Sequence, residues 1–275
     1  MPSSGAVADV VWKNGAFLDG AAWELDDRGA LLGDAVFETV RARGGAPEAL
    51  DAHLARLAHG ASVLGIAASL GGVGDVVRAA VTRLGAADAA VRITLTRGPG
   101  PRGLGPDGFA TPALVVRAQP YTPPPAWAYA DGVDVRTVTA RRIPPSVLPP
   151  TIKHANALPA ILGRRELVGP RELEGIVLAV DGTVACGLAS NLFAVIGGRL
   201  VTPPLSTGAL AGITRARVIA RAGAVEEPLT PAALAAADEA FLTSSLVGVL
   251  PIARVDGVAL RAAPGSVTAS VSPLD

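Results

Sequence analysis

The stretch Thr151-Ile152-Lys153-His154-Ala155-Asn156-Ala157-Leu158-Pro159 carries one of only two lysines in a chain with 24 Lys and Arg residues. An amine that has lost its proton can attack a carbonyl carbon, whereas a guanidinium stays protonated at any working pH. Lys153 is therefore a candidate nucleophile, and an ordinary ion-paired lysine is the alternative. The other lysine, Lys13, lies beside the turn signal Asn14-Gly15 and is predicted to be a surface residue.

The composition argues against several classes of function. The 275-residue chain has 24 basic and 24 acidic residues, so its formal net charge is zero and a nucleic-acid-binding surface is not expected. Cys186 is the only cysteine and the three histidines are scattered, which argues against disulfides and a zinc site. Residues 1–7 lack a targeting pattern, and the apolar runs are too short to span a membrane. We expect a soluble cytoplasmic protein with no metal and no membrane partner.

The first part of the chain is predicted to mix strands and helices. Turn signals and alternating apolar residues predict strands, and apolar residues at helical spacing predict helices. These patterns place strands at 10–12, 16–18, within 33–41 and at 91–96, and helices at 51–61 and 74–84. In the first helix Asp51 is the expected cap, and His53 and Arg56 share one edge. That edge is either solvated, which is the default interpretation, or an anion site.

The loop that follows the strand at 91–96 contains two arginines and several glycines. Its letters satisfy G-x-G-x-x-G, but Pro99 and Pro101 have no N–H to offer a phosphate, and no helix pattern begins there. A dinucleotide-binding fold is therefore rejected. Arg97 and Arg102 are candidates for binding a substrate carboxylate, and exposed turn arginines are the alternative.

Three consecutive prolines, Pro123-Pro124-Pro125, mark the clearest boundary because proline cannot donate to a sheet. We divide the chain there into a smaller N-terminal α+β domain (1–118), a linker (119–126) and a larger C-terminal domain (127–275) that carries Lys153. A helix is predicted over 156–167 and another from Thr214. The start of the second helix and the hydroxyls of Ser244 and Ser245 are candidate anion-binding groups.

One amine and three separate anion-binding candidates are what a pyridoxal 5'-phosphate site requires, since the amine binds the aldehyde and the anion-binding groups hold the phosphate. In this order the segments resemble class IV, fold type IV, pyridoxal-phosphate enzymes, and the resemblance extends over about residues 12–251. The family includes branched-chain and D-amino-acid aminotransferases and 4-amino-4-deoxychorismate lyases. The motifs that carry it are Gly33-Asp34-x-x-Phe37-Glu38-Thr39-x-Arg41, His53-Leu54-x-Arg56-Leu57, Lys153-x-x-Asn156, Ser190-Asn191-Leu192-Phe193, Thr202-Pro203-Pro204 and Gly212-Ile213-Thr214-Arg215.

The resemblance implies a two-domain α+β fold with a barrel-like C-terminal domain, and a homodimer. It implies that Lys153 is the Schiff-base lysine and proton shuttle. It also places the phosphate on residues of three separate segments, namely Arg56, Ile213, Thr214 and Ser245. Ile152-Lys153-His154-x-Asn156 and the loop with Arg97 and Arg102 look most like the lyase group. The expected activity is therefore release of pyruvate from aminodeoxychorismate to give 4-aminobenzoate, a step of folate biosynthesis.

The sequence departs from this family at two positions. The glutamate that pairs with the protonated pyridine nitrogen is replaced by Cys186, whose thiol has an ordinary pKa of about 8.5 and cannot hold that proton in the same way. A tyrosine common in aminotransferases is replaced by Ala157. Three interpretations stay open: a lyase with a less polarised ring, an aminotransferase acting on D-amino or branched-chain amino acids, or a homologue without catalytic activity.

Overall fold

The computed structural model describes residues 9–19, 24–105, 108 and 111–272. The chain forms two compact units, one of Met1–Thr122 with Ile152–Asn156, the other of Pro123–Thr151 with Ala157–Asp275. Residues 1–7, where the sequence predicts no targeting signal, lie outside the described part. Within that part, no helix is long and apolar enough to cross a membrane.

The first unit is built on a six-stranded antiparallel sheet with the order β2-β1-β6-β5-β3-β4. Its elements in chain order are β1 (Val10–Lys13), β2 (Ala16–Leu18), α1 (Arg28–Leu32), β3 (Ala35–Arg43), β4 (Ala46–Pro47), α2 (Leu50–Val63), α3 (Val73–Leu84), β5 (Asp88–Thr96) and β6 (Ala113–Pro120). The predicted opening hairpin and the predicted strands within 33–41 and at 91–96 are confirmed. They form because alternate apolar residues bury one face of each strand.

The long pair β3 and β5 is in register from Ala35↔Thr96 to Arg43↔Asp88. Residues of β3 whose side chains face inward, such as Val36 and Val40, pack with apolar residues of α2 and α3 in one core. The predicted cap Asp51 is wrong, since α2 begins at Leu50 after Ala49. Ala49 adopts a left-handed conformation (φ 48°) and makes no side-chain capping bond, so α2 is held by packing.

The second unit contains a nine-stranded mixed sheet. The path β12-β11-β10-β13-β14-β7-β8-β9 accounts for eight strands, and β15 pairs with β14. The elements are α4 (Ala126–Ala130), β7 (Val133–Arg141), α5 (Leu158–Arg164), β8 (Glu172–Leu178), β9 (Val184–Gly187), β10 (Asn191–Ile196), β11 (Arg199–Thr202), α6 (Ile213–Ala222), β12 (Val225–Glu226), α7 (Pro231–Ala235), β13 (Glu239–Ser244), β14 (Gly248–Val255), β15 (Val258–Ala259) and α8 (Ser266–Val271).

Both faces of the central strands of this unit are buried. Phe193 on β10 and Phe241 on β13 stack with ring centroids 5.1 Å apart, in a core that also includes Val218 of α6 and Val271 of α8. Leu192 and Leu242, on the opposite face, belong to a second core. Strands buried on both faces read as near-continuous apolar runs, which is why Asn191–Ile196 and Glu239–Ser244 stand out in the sequence.

The segment that carries Lys153 differs from the prediction in two respects. It packs with the first unit, whereas the sequence placed it in the C-terminal domain, and the predicted helix 156–167 is shortened to Leu158–Arg164. The placement follows from the backbone of Lys153 and Ala155, which bonds to strand β3 of the first unit. The other unit boundary, between Thr122 and Pro123, lies inside the proposed linker.

Candidate active site

Lys153 is held on the edge of the sheet of the first unit. Its carbonyl accepts a hydrogen bond from the Phe37 amide (2.9 Å), and the Ala155 amide donates to the Ala35 carbonyl (3.0 Å). Ile152, just before it, is almost fully buried. The amine Nζ lies 4.6 Å from the centroid of the Phe37 ring. Backbone pairing and a buried neighbour therefore fix the origin of the lysine side chain, as a reactive amine requires.

A buried group of three titratable side chains lies on α2 and β3. Glu38 is fully buried, and its carboxylate accepts from Arg56 Nε (2.7 Å) and Nη2 (2.8 Å) and contacts His53 Nδ1 (2.6 Å). Burial by itself raises the pKa of Glu38, but the hydrogen bonds and charges of Arg56 and His53 lower it overall. The default interpretation of a solvated helix edge is therefore wrong for His53 and Arg56.

Arg97 and Arg102, the predicted carboxylate ligands, have different surroundings. Arg97 bonds Asp34 through Nε (2.7 Å) and Nη2 (3.1 Å) and donates to the Leu64 and Gly65 carbonyls. Arg102 is exposed on the loop. The structure thus gives Arg97 a role in tying the loop to the sheet, and the substrate-binding role of both arginines stays a prediction.

Two residues near Lys153 and Arg56 were missed by the sequence reasoning. Arg92 on β5 places its guanidinium carbon 3.8 Å from the centroid of the Phe37 ring, the same ring that Lys153 contacts. Glu38 was noted only as part of a motif. A signal for Glu38 exists, because an acid between the apolar residues of a strand needs a cationic partner when it is buried. No comparable sequence signal marks Arg92, because an arginine on the exposed face of a strand such as β5 is ordinary.

In the second unit, Cys186 is buried on β9. Its side chain is 3% exposed and packs in a cluster with Ala179, Ala185 and Ala209. Burial raises the pKa of the thiol, the positive charge of Arg142 lowers it by a smaller amount, and the charge of Glu174 raises it further. Burial has the largest effect on this pKa, so the thiol is neutral at pH 7.

Glu174 lies on β8, the strand that pairs with β9, and its charge acts on Cys186; the sequence reasoning missed it as well. It accepts hydrogen bonds from the Gly175, Leu188 and Ala189 amides and from the Ser190 hydroxyl (2.9 Å). Burial raises the pKa of Glu174, while these hydrogen bonds lower it by less. The carboxylate therefore holds the turn that follows Cys186.

The first turn of α6 is a candidate phosphate-binding segment. The first amide bonded inside the helix is that of Ala216, which donates to Gly212, so the amides of Ile213 and Thr214 have no intrahelical partner. Asn191, which is buried, donates from Nδ2 to the Leu210 carbonyl (2.8 Å). A β-carbon on Gly212 would overlap the Asn191 carboxamide oxygen, so this turn requires glycine for close approach.

The remaining predicted phosphate ligand, Ser245, directly follows β13. Ser244 accepts a hydrogen bond from the Val247 amide (3.3 Å), which closes the turn between β13 and β14. One residue earlier, the buried hydroxyl of Thr243 has no hydrogen-bond partner among the described residues. The structure thus places Lys153, Arg56, Arg97 and Arg102 in the first unit and Cys186, Ile213, Thr214 and Ser245 in the second.

Known proteins resemble the chain over most of its length. The family described as amino-transferase class IV matches residues 35–255. A Methanocaldococcus jannaschii protein, provisionally named a branched-chain-amino-acid aminotransferase, is 36% identical over 90% of this chain and 88% of its own.

Solved structures show the same fold in two enzymes of different activity. A 4-amino-4-deoxychorismate lyase from Pseudomonas aeruginosa is 31% identical, with a TM-score of 0.84 over 94% of this chain and 95% of its own. A branched-chain amino acid aminotransferase solved with pyridoxamine 5'-phosphate is 27% identical, with a TM-score of 0.86 over 97% of this chain and 92% of its own.

Proposed function

This chain belongs to the class IV aminotransferase family of pyridoxal 5'-phosphate-dependent enzymes, and we propose that within it the protein is a 4-amino-4-deoxychorismate lyase. The observation that carries the proposal is the neutral, buried thiol of Cys186. In a family member without a carboxylate at this position, the cofactor ring withdraws electrons from the substrate less strongly. Elimination that forms an aromatic product tolerates this weakness better than transamination, because aromaticity supplies part of the driving force.

The side chains present fit the cofactor. Lys153 is an amine on a fixed backbone, as covalent binding of an aldehyde requires. Arg56 is oriented by Glu38, and the turn at Gly212 presents amides at a helix start, where an anion is favoured. When bound, pyridoxal 5'-phosphate supplies an aldehyde that condenses with amines and a ring that accepts electrons.

Each candidate residue has a proposed role. Arg56, Ile213, Thr214 and Ser245 hold the phosphate, and Cys186 faces the ring nitrogen. Arg97 and Arg102 bind carboxylates of the substrate. Lys153 would hold the cofactor covalently, and its Nζ amine would carry a proton of the substrate.

The reaction balances without any further reactant. A ring hydrogen of aminodeoxychorismate leaves as a proton, and the bond between the ring carbon and the ether oxygen breaks, so that the oxygen leaves with the enolpyruvyl group. The ring becomes 4-aminobenzoate, and the released enolpyruvate takes up a proton to become pyruvate. The amine of Lys153 is the group proposed to take the ring proton, since a general base must lie within hydrogen-bonding reach of that proton.

Product analysis tests the activity. Purified protein with pyridoxal 5'-phosphate is mixed with aminodeoxychorismate, and pyruvate and 4-aminobenzoate are measured. We expect both products in equal amounts. Conversion of D-alanine or a branched-chain amino acid with 2-oxoglutarate, without pyruvate release from aminodeoxychorismate, would instead establish an aminotransferase. That second candidate is favoured by the 36% identity to the M. jannaschii protein.

Lys153→Ala tests the attachment of the cofactor. Borohydride treatment of the loaded protein, followed by peptide mass spectrometry, should find the cofactor on Lys153 and none in the variant. The matched control is Lys13→Ala, since Lys13 is the only other lysine and pairs with Glu24 (2.8 Å). Equal labelling in both variants would contradict the role of Lys153 and favour a homologue without catalytic activity.

We also propose a homodimer in the cytoplasm. The resemblance to the family supports the dimer, and a single buried thiol fits a reducing compartment. Sedimentation of the purified protein should give twice the chain mass of 27.5 kDa. A single-chain mass at micromolar concentration would contradict the dimer.

A further inference from the structure

Cys186 packs in a cluster with Ala179, Ala185 and Ala209, and Glu174 is the acid whose charge acts on its thiol among the described residues. Cys186 pairs with Val177 on β8, and its neighbour Gly187 pairs with Ile176. Successive strand residues point to opposite faces, so Cys186 shares a face with Val177 and Ala179, and Gly187 shares the other with Glu174. A β-carbon on Gly187 would meet the side chains of Glu174 and Ser190, which confirms that Glu174 lies on the Gly187 face.

Glu174 is also occupied as an acceptor. Three amides and one hydroxyl, all from Gly175 and the 188–190 turn, donate to its two oxygens. A carboxylate has about four acceptor positions, so these bonds use its capacity. To accept a hydrogen bond from a protonated group beside Cys186, the Glu174 carboxylate would have to break its bonds to the 188–190 turn and move to the other face of the strand.

A positive charge, that of Arg142, also lies near Cys186. Arg142 donates from Nε to the Gly208 carbonyl (2.7 Å), next to Ala209, which packs in the cluster of Cys186. The amide of Arg142 donates to the Leu178 carbonyl (2.9 Å), one residue before Ala179 of the same cluster. The guanidinium is thus anchored at the wall of the Cys186 cluster. A cation beside a buried site disfavours a second positive charge in that site.

We propose that this site holds the ring nitrogen of pyridoxal 5'-phosphate without a proton. The inference rests on the proposed function, in which Cys186 faces that nitrogen. A pyridinium there would be a buried cation with a neutral thiol as its partner and the Arg142 guanidinium nearby, and such an unpaired charge is costly. A neutral nitrogen accepts a hydrogen bond, and the S–H group of Cys186 is a weak donor.

Whether the ring nitrogen is protonated determines which class of reaction the site can catalyse. A neutral ring is a weaker electron acceptor than a pyridinium, so the site favours substrates whose own products are stabilised, such as those that become aromatic. It disfavours reversible exchange of amino groups between ordinary amino acids. The departure at Cys186 is therefore a specificity feature of an active enzyme.

Nitrogen NMR of protein loaded with [15N]pyridoxal 5'-phosphate tests the proposal directly, because the 15N resonance separates protonated from unprotonated pyridine. At pH 7 we expect the unprotonated resonance in the wild type and in Cys186→Ser, which keeps a small neutral group. We expect the protonated resonance in Cys186→Glu. Cys186→Asp, a smaller acid, serves the same purpose if the larger side chain disrupts the alanine cluster.

A protonated resonance in the wild type overturns the proposal while leaving the proposed function intact. An unprotonated resonance in an acidic variant that binds cofactor also overturns it, because Cys186 would then not face the nitrogen. Failure of folded wild-type protein to bind the labelled cofactor overturns the proposed function, and this inference with it.

Discussion

At the residue scale, Glu38 explains more about the first unit than any residue chosen from the sequence for its chemistry. Its carboxylate is fully buried, accepts hydrogen bonds from two nitrogens of Arg56 and contacts one nitrogen of His53. A buried carboxylate without such partners would lose several kcal/mol of solvation, so the three side chains are stable only together. Glu38 thereby orients Arg56, the arginine proposed for the phosphate.

Glu38→Gln should therefore be strongly destabilising. Removing one member of a buried ion pair costs about 3–5 kcal/mol, because the remaining charges stay buried without compensation. Urea unfolding at pH 7 measures the change. The control is Glu48→Gln, which breaks a more exposed pair with Arg43 (3.0 Å) and should cost no more than about 1 kcal/mol. Equal losses in the two variants would contradict the importance of the buried group.

Substitution of Arg97 and of Arg102 should have different effects on the free energy of unfolding. Arg97→Gln loses the bonds to Asp34 and to two carbonyls, and we expect a loss of about 1.5–3 kcal/mol of stability. Arg102→Gln, on an exposed loop, should leave stability within about 0.5 kcal/mol and raise KM for a carboxylate-bearing substrate. An unchanged stability for Arg97→Gln with a raised KM would make substrate binding its main role.

At the element scale, the start of α6 depends on side chains from other elements. Asn191 at the start of β10 bonds the Leu210 carbonyl and lies against Gly212. Arg215, also buried, donates to the Pro203 carbonyl (3.0 Å) and pairs with Glu226 (2.9 Å). The helix start is thus fastened on two sides, so its amides have a fixed direction, which anion binding at a helix N-terminus requires.

Gly212→Ala should weaken binding of the phosphorylated cofactor, because the added methyl group pushes the turn away from Asn191. We expect a loss of roughly tenfold in affinity, equivalent to about 1.4 kcal/mol. Titration with pyridoxal, which lacks the phosphate, should show little change. Ala220→Ser, on the exposed side of the same helix, is the control. Equal losses for both ligands would show that Gly212 acts on general stability and not on the phosphate.

At the scale of the whole molecule, each unit contains a glutamate whose ionised form is stabilised by neighbouring groups in the folded chain. In the first unit the pKa of Glu38 is lowered overall by Arg56 and His53 against the effect of burial. In the second, Arg136 and the amides of Gly169 and Val168 lower the pKa of Glu172 from 4.5 to about 2. A pKa that is lower in the folded than in the unfolded chain makes stability fall on acidification.

Stability should accordingly decline as the pH falls below about 4.5, and the contribution of Glu172 should be lost as the pH passes through about 2. Circular dichroism during acid titration measures the decline. Glu172→Gln should flatten the part of the curve between these two values, since the variant has no carboxylate to protonate. A curve of unchanged steepness would contradict the lowered pKa.

Local patterns predicted elements well where a turn signal or a helical spacing of apolar residues defines the element. The hairpin of β1 and β2 and the helix α3 agree with the predicted spans to within one residue. The prediction failed at 156–167, where residues up to Asn156 belong with the first unit. No local pattern reveals that the edge of β3, more than a hundred residues earlier, bonds the backbone of the segment just before this helix: the Ala155 amide donates to the Ala35 carbonyl.

The sequence by itself determined the α+β class, the family and the choice of Lys153, since these depend on residue type, periodicity and motif order. Only the tertiary structure decided the partner of each charge. Glu38 and His53 are 15 residues apart, and Asp34 and Arg97 are 63 apart. Their pairing, like the placement of Arg142 beside the cluster of Cys186, depends on how distant elements pack. Electrostatic effects follow distance and burial in space, which spacing along the chain does not specify.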